Sequence, residues 1–452
     1  MQEGIALHAA LQYALPAHRD EYRTDFREPA SAREFDTLLA LPSNVFELDG
    51  QRDGQWLQPA AYSTAGHIVT GHCDLLLAIW DGKSGDEGGT AQVVREALRA
   101  GIPIIRIHVD NPETVEFSPE GADSQGLWRA AWQPLLGEFL RNSLNPPPSA
   151  EKWLPRYTKE RIESQTDLQR ADALSVRYGK YYRRSYHVKY WLSAIAVFFA
   201  VAGLMPRQDQ RRLWPFLEFV CIAGVLLWFF RALLGDWHER WINYRMLAEQ
   251  FRVLDFLAPL GQTVPLFRPP VFWNEPSRHA WVGWYFRARL RQRGMPNKCV
   301  TPEYLRKQRG NLMTVVEDQI EYHKGKHEST RLSHRLTHYA GPILFGVTAL
   351  ACIAHFRRME IVQPYVLGAI TAALPALAAA LEGLQAQAEW HRLSERSERM
   401  QKHIESLKKR LPETPGPTFA ALSAVAVDLA EAMTSETSEW HNLIHGKPLN
   451  LG

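Results

Sequence analysis

Four long apolar stretches limit what this chain can fold into more than any other feature. They are Val188–Met205 (VKYWLSAIAVFFAVAGLM), Leu213–Leu234 (LWPFLEFVCIAGVLLWFFRALL), Tyr339–Phe356 (YAGPILFGVTALACIAHF) and Tyr365–Leu384 (YVLGAITAALPALAAALEGL). A helix needs about 20 mostly apolar residues to cross a bilayer, with a usable range of roughly 17–25. All four meet that length, the first and third narrowly. Trp191, Trp214, Tyr339 and Tyr365 lie near segment ends, as interfacial aromatics do. The competing arrangement is four core helices of a large soluble domain. Paired occurrence and short intervening loops favour two membrane hairpins. Within them Glu218 and Arg231 are costly, though both lie within a turn or two of a segment end, where snorkelling relieves them. Glu218 is the candidate for lining a membrane pathway. Pro375 is expected to kink its helix, and Gly224 or Gly368 to allow close helix packing.

Upstream of these segments the pattern changes to α/β. The stretch Asp74–Val109 holds an apolar run, Leu75–Trp80, then a loop with Gly82, Gly85, Gly88 and Gly89. An amphipathic helical pattern, Ala91–Ala100, leads to a second apolar run, Ile104–Val109. Strand, glycine loop, helix, strand is the order of a βαβ unit in a parallel sheet. Ligands of open α/β sheets bind at the carboxyl ends of the strands, where this loop falls. Glycine lets backbone N–H groups approach a phosphate, and a helix N-terminus adds partial positive charge. The candidate ligand-binding residues are therefore Asp81, Gly82, Lys83, Ser84, Gly85, Gly88, Gly89 and Thr90. Thr90 can cap the following helix. Asp81 could accept from a ribose hydroxyl or simply order the turn, and Lys83 could offset phosphate charge or be a solvated lysine. The plain alternative for the loop is a glycine-rich turn with no ligand.

The rest of the first 150 residues supports this class. Leu11–Leu15 and Val45–Leu48 are strand candidates, and Tyr62–Cys73 is a helix feeding the strand Leu75–Trp80. Ser31-Ala-Arg-Glu34 matches a capping box and should start a helix through Leu41. Asn145-Pro-Pro-Pro-Ser149 reads as a stiff linker closing the domain. From Ala150 onward the pattern is helical and weakly duplicated. One half runs Glu160–Tyr186, hairpin, Asp236–Leu257, and the other runs Tyr304–Arg335, hairpin, Gln385–Arg410. Trp241–Glu249 and Trp390–Glu398 carry Trp and Glu at the same spacing. A stretch rich in Pro, Trp and Arg, 259–300, connects the halves. The expected domains are 1–149, 150–275 and 276–452. The expected fold is a Rossmann-like parallel-sheet domain, then an all-α region with four transmembrane helices in two hairpins and long cytoplasmic helices.

Charge and cysteine usage narrow the function classes. A formal net charge of +3 gives no argument for a nucleic-acid partner. Cys73, Cys221, Cys299 and Cys352 are scattered, with no CxxC pair, which suggests reduced structural thiols. Met1–Asp20 lacks the basic and apolar regions of a signal peptide. His323, His327, His334 and His338 recur along one polar helix without a recognised zinc spacing, so a solvated face is expected and no metal. Arg207, Arg211, Arg212, Arg357 and Arg358 in the hairpin loops pull those loops inward under the positive-inside rule. A nucleotide-binding N-terminal domain without a leader outweighs them. Both termini and the long helices are expected in the cytoplasm, with hairpin tips outside.

At the glycine loop the sequence resembles the SLOG superfamily of Rossmann-like domains, which includes cytokinin-activating phosphoribohydrolases and DNA-uptake proteins. The resemblance covers about the first 110 residues. It rests on Leu76–Gly82 (LLAIWDG), Gly88-Gly-Thr90, the strand after Ile102-Pro103, Leu15-Pro16 and Tyr22-Arg-Thr-Asp-Phe26. Hydrolase members carry a glutamate three residues after the GT pair; here that position is Val93. The resemblance therefore implies ligand binding rather than hydrolysis. Family domains also begin with a strand and a first glycine-bearing loop, whereas this chain starts at Met1-Gln-Glu-Gly4, so an N-terminally truncated domain is expected. The remainder resembles SLATT-type membrane helical modules of bacterial conflict systems. The matching pieces are the paired hairpins, the Trp241–Arg252 helix, Trp281-Val-Gly-Trp284 with Arg287, and Glu317-Asp-Gln-Ile-Glu-Tyr-His323.

The resemblance implies a multi-pass antiphage effector in the bacterial inner membrane. A nucleotide-derived signal, of cyclic or ADP-ribose type, binds in the cytoplasm; no further cofactor and no nucleic acid are expected. Membrane helices of a homo-oligomer then rearrange or open a pore. The alternatives are a membrane-tethered nucleotide N-glycoside hydrolase and a transporter or channel with a regulatory nucleotide-binding domain.

Overall fold

The computed structural model describes residues 11–41, 44–54, 56–85, 87–118, 134, 136–137, 145–159, 166–203, 212–263, 280–357, 364–412 and 416–445. In chain order the elements open with β1 (Gln12–Leu15), α1 (Arg19–Arg23), α2 (Pro29–Leu39), β2 (Asn44–Glu47), β3 (Arg52–Asp53) and β4 (Trp56–Leu57). Next come α3 (Pro59–His72), β5 (Leu76–Ile79), α4 (Thr90–Arg99), β6 (Ile104–Ile107) and β7 (Val115–Ser118). Then α5 (Pro148–Lys159), α6 (Asp167–Ala202), α7 (Leu213–Leu234), α8 (Trp237–Leu257) and α9 (Ala280–Arg293) precede β8 (Lys298–Cys299). Four helices complete the chain: α10 (Pro302–Phe356), α11 (Pro364–Ala388), α12 (Trp390–Arg410) and α13 (Phe419–His445).

These elements form two compact units, each drawn from three stretches. The first comprises Met1–Arg161, Glu249–Val315 and Leu407–Thr434; the second comprises Ile162–Ala248, Val316–Ser406 and Ser435–Gly452. The chain passes from one unit to the other inside α8, α10, α12 and α13.

In the first unit β5 and β6 pair in parallel, Leu76 opposite Ile104 and Ile79 opposite Ile107, with α4 between them in sequence. The crossover helix is held by its apolar face. Ala91, Val94 and Ala97 are buried, and Val94 and Ala97 pack with Leu76, Ala78 and Ile104. Gly101 at φ +64° ends α4. Its N–H donates to the Leu98 carbonyl at 3.0 Å, and the Ile102 N–H to that of Ala97 at 2.8 Å, a Schellman closure that turns the chain into β6. The sheet is less extended than an open Rossmann sheet. Among the described residues the strands form two three-stranded sheets, β1-β2-β8 and β5-β6-β7, and a β3-β4 pair. The first is parallel, while β7 runs antiparallel to β6. Leu77 and Ile79, alternating on β5, stay exposed at 63% and 65%, leaving that strand with one unpacked apolar face.

Strand β8 escapes sequence reading because two residues carry no periodicity. It is fixed by side chains: Asn44 Nδ2 donates to the Met295 carbonyl at 3.0 Å, and Val45 N–H to Asn297 Oδ1 at 3.2 Å. Arg291 grips Asp74 with two bonds of 2.5 and 2.8 Å. Trp281 and Tyr157 are fully buried against one another. Two local expectations are corrected. Helix α2 begins at Pro29, with Glu28 at the cap and no side-chain cap bond, so Ser31-Ala-Arg-Glu34 lies inside the helix and forms no capping box. Proline at the first helical position is preorganised there and supplies the start itself. The same device converts the end of the Asn145–Ser149 linker into helix α5, which opens at Pro148.

In the second unit the packing is helix on helix. Among the described residues three apolar stretches are long enough to cross a membrane: α7, within α10, and within Val366–Arg410, with mean hydropathies of 2.1, 1.6 and 1.7. Only 11, 11 and 22% of their apolar windows are buried. The expected fourth span, Val188–Met205, is not among them. Its described part, 188–203, is the end of α6 and its cap: it carries Lys189 near its start and stops at Gly203. Residues 204 and 205, Arg207, Arg211, Arg358 and the Met1–Gly4 start lie outside the described residues.

Helix α6 packs along both α7 and α11. Glycine permits both approaches: a Cβ at Gly224 would lie 3.2 Å from Leu192, and one at Gly383 would lie 2.2 Å from the Tyr190 ring. Among the described residues nothing lies within 4 Å of a Cβ at Gly368, and the close approach of this helix is made at Gly383 instead. Pro375 sits inside α11, which continues through it. The weak duplication has a backbone counterpart. Asp236 and Glu389, both at φ 50°, immediately precede α8 and α12, and each of those helices begins with tryptophan.

Candidate functional site: the glycine loop

The loop expected to bind ligand leaves the carboxyl end of β5 and enters the N-terminus of α4. Two of its glycines are required by conformation. Gly82 and Gly88 adopt φ +86° and +83°, in the left-handed region that side chains disfavour. Both are also places of close approach. A Cβ at Gly88 would stand 2.4 Å from the Pro59 carbonyl oxygen, and one at Gly82 would stand 2.3 Å from the Arg106 guanidinium.

Asp81 orders the turn. Its Oδ1 accepts from the Lys83 N–H at 3.0 Å, and its Oδ2 stands 3.4 Å from Lys83 Nζ. The backbone hydrogen bond, chiefly, holds its carboxyl below the usual range. Trp80 Nε1 donates to the Lys83 carbonyl at 3.0 Å, closing the loop from the other side. Lys83, Ser84 and Gly85 are exposed. Thr90 does not cap α4: the cap position is Gly89, at φ −84° and ψ 167°, with no side-chain cap bond, and Thr90 is the first helical residue. A threonine already in helical conformation has lost the extended backbone that a capping hydroxyl needs.

Sequence reading missed the residues beneath the loop. Gln92 accepts from the Gly88 N–H at 2.7 Å and donates to Ser63 Oγ and Glu96 Oε1 at 2.7 and 2.8 Å. Glu96 in turn stands 3.6 Å from His67 Nδ1. One loop donor is thus satisfied by the protein itself. Arg106 lies under Gly82, 5.3 Å from the Trp80 ring centroid and 3.3 Å from Glu116 Oε2. An arginine inside the otherwise apolar run Ile104–Ile107 was the available signal. Val93 faces α3, with Cγ2 2.6 Å from where a Gly66 Cβ would be. This position therefore belongs to the helix–helix contact behind the loop. The arrangement offers an uncapped helix N-terminus, a glycine backbone and a nearby guanidinium, a set suited to holding an anion.

The other expected features fall elsewhere. Glu218 is half-buried on α7. The four histidines of α10 do not share a solvated face: His323 is 1% exposed, and His327 Nδ1 is 3.0 Å from the Ser394 carbonyl oxygen. Burial pushes the Cys73 thiol up to about 11, which leaves it a poor nucleophile near neutral pH. No family model matches this chain, and neither does any curated protein or solved structure.

Proposed function

We propose that this protein is a membrane-anchored effector whose glycine loop senses a nucleotide-derived anion, in the manner the SLOG and SLATT resemblances imply. The observation that carries the reading is an uncapped helix N-terminus behind a glycine loop, in the same chain as three apolar helices with little buried surface. A phosphate needs donors and positive potential without a side chain in the way, and Gly89 leaves that space. Val93, turned toward α3, supports binding over N-glycoside hydrolysis. In this reading α6 joins the three spans as a fourth, its exposed Trp191, Val197 and Phe198 lying against lipid. The termini are cytoplasmic, and the protein acts as a homo-oligomer in a bacterial inner membrane during phage infection. A signal changes the output only if it binds one helix arrangement better than another.

Gly89→Asp tests this directly. Gly89 has ordinary extended backbone, and aspartate is a favoured cap, so stability should hold or rise by a few tenths of a kcal/mol. Its carboxylate would occupy and repel the anion position. The expected result is that AMP or ADP-ribose binds the full chain in lipid nanodiscs by calorimetry and that Gly89→Asp abolishes binding. Growth arrest on expression should be lost in parallel. Unchanged binding in the variant would remove the loop as the sensor, and ribose 5-phosphate release from AMP would replace sensing with hydrolysis.

A further inference from the structure

A second feature, in the helical unit, is independent of the glycine loop. A cavity of about 180 Å³ opens among α6, α8, α10, α11, α12 and the end of α13. Four cations line it, each from a different helix: Arg183, Arg245, Lys326 and Arg396. Glu436 is the one carboxylate on that lining among the described residues. The walls between the charges are aromatic. Trp241 and Trp440 meet edge to face at 5.0 Å, with the Arg183 guanidinium 5.7 Å from the first ring and that of Arg245 5.2 Å from the second.

Within this group Arg396 is incompletely served by its neighbours: its guanidinium has two carboxylates nearby but neither in hydrogen-bonding position. Arg396 is only 12% exposed, yet its carboxylate neighbours, Glu436 and Glu439, stand at 3.8 and 3.7 Å, beyond hydrogen-bond reach. Its Nε and one terminal nitrogen are buried without a hydrogen-bond partner among the described residues. Burial holds Lys326 below the usual lysine range, and the charges of Arg245 and Arg183 add to the effect. Burial likewise lowers Arg396, opposed by the attraction of Glu436 and Glu439 and reinforced by the charge of Arg245. Gathering partly dehydrated cations around a single carboxylate among the described lining residues costs stability, and an anion seated among them would offset that cost.

The size of the cavity selects the anion. Pockets for drug-sized ligands run to roughly 300–1,000 Å³, so this one admits a compact group and not a whole nucleotide. Its place along the chain matters too. Arg183 lies five residues before Val188, and Trp390 lies six residues after Leu384, so the cations cluster at one end of the apolar segments. We propose that this cavity is a binding site for a phosphate group, held by Arg183, Arg245, Lys326 and Arg396 at the polar end of the apolar helices. A phosphate monoester or inorganic phosphate could enter from water, and a phospholipid headgroup could enter from the bilayer.

The test uses the full chain in nanodiscs and reads melting temperature and tryptophan emission. In phosphatidylcholine discs, inorganic phosphate is titrated against chloride at equal ionic strength. In a second arm, phosphatidylcholine discs are compared with discs containing phosphatidylglycerol. A phosphate-specific rise in melting temperature identifies a soluble ligand, and a rise confined to the anionic discs identifies a lipid headgroup. Arg396→Met and Lys326→Met should weaken either response at least tenfold, and Lys326→Arg should retain it. Lys326→Met should also match or exceed the unliganded melting temperature of the parent, because it removes a repelled charge; a folding defect would lower it. The proposal is overturned if neither arm shifts the parent protein, or if the methionine variants respond as the parent does.

Discussion

Gly88 and His72 show how single positions in the first unit are constrained by different physics. At Gly88 both backbone and space exclude a side chain: φ is +83°, and a Cβ would press on the Pro59 carbonyl at 2.4 Å. Gly88→Ala should cost at least about 1 kcal/mol from the left-handed conformation alone, measurable by urea unfolding. His72 is limited by titration. Burial lowers its pKa, against a hydrogen bond from Nε2 to the Gly261 carbonyl at 3.1 Å. A histidine depressed in the folded state binds fewer protons there than in the unfolded chain. Its contribution is therefore full above about pH 6.5 and is lost as pH falls toward the lower folded value. Stability between about pH 7 and 5 should fall less steeply in His72→Gln than in the parent, as read by thermal melts across that window.

Apolar helices set the next scale, and their exposed faces make opposite predictions in water and in lipid. Leu227 on α7 is 71% exposed. In a soluble helix, Leu227→Lys would be silent or would aid solubility. At the centre of a membrane helix a lysine costs about 2.5–3.5 kcal/mol of insertion free energy. We expect Leu227→Lys to reduce the carbonate-resistant membrane fraction and the folded yield; an unchanged fraction would argue against α7 as a span. Helix contacts are testable at Gly383, where a larger side chain meets the Tyr190 ring. Gly383→Leu should destabilise the α6–α11 contact by about 1–3 kcal/mol, the usual range for overpacking, with a lower melting temperature as the readout.

The paired bends at Asp236 and Glu389 belong to this scale as well. Each halts a helix and restarts another at Trp237 or Trp390. They place the duplicated element starts one helical turn earlier, in the first half, than the Trp241–Glu249 alignment suggests. Sequence matching finds shared residues, while the backbone finds shared breaks, and a left-handed acidic residue leaves no periodic trace.

At the scale of the whole molecule, two anion-binding proposals sit in different compact units. They separate experimentally: Gly89→Asp should leave the phosphate response of the helical cavity intact, and Arg396→Met should leave nucleotide binding at the loop intact. Loss of both in either variant would mean that the sites are energetically linked, and bound phosphate must then change AMP affinity by the same factor by which bound AMP changes phosphate affinity. Calorimetry of AMP binding at fixed phosphate measures that linkage.

Much of each region's local character follows from its own residues, although the caps of α2 and α4 do not. Period, run length and turn chemistry act over a few residues, so the βαβ order of Leu75–Val109, its glycine loop and the apolar lengths of three of the four later segments could be read directly, whereas among the described residues Val188–Met205 falls short. What lies far apart in sequence was decided by the tertiary structure. Lys298–Cys299 became a sheet strand because Asn44 and Asn297 fasten it to β2. Arg106 came to lie under Gly82, and Gln92 took the N–H of Gly88. Arg183, Arg245, Lys326 and Arg396 are separated by between 62 and 81 residues from one to the next, and each alone reads as a charge on a polar helix. Only packing brings them to one cavity, because Coulomb interaction and burial depend on distance in space and not on distance along the chain.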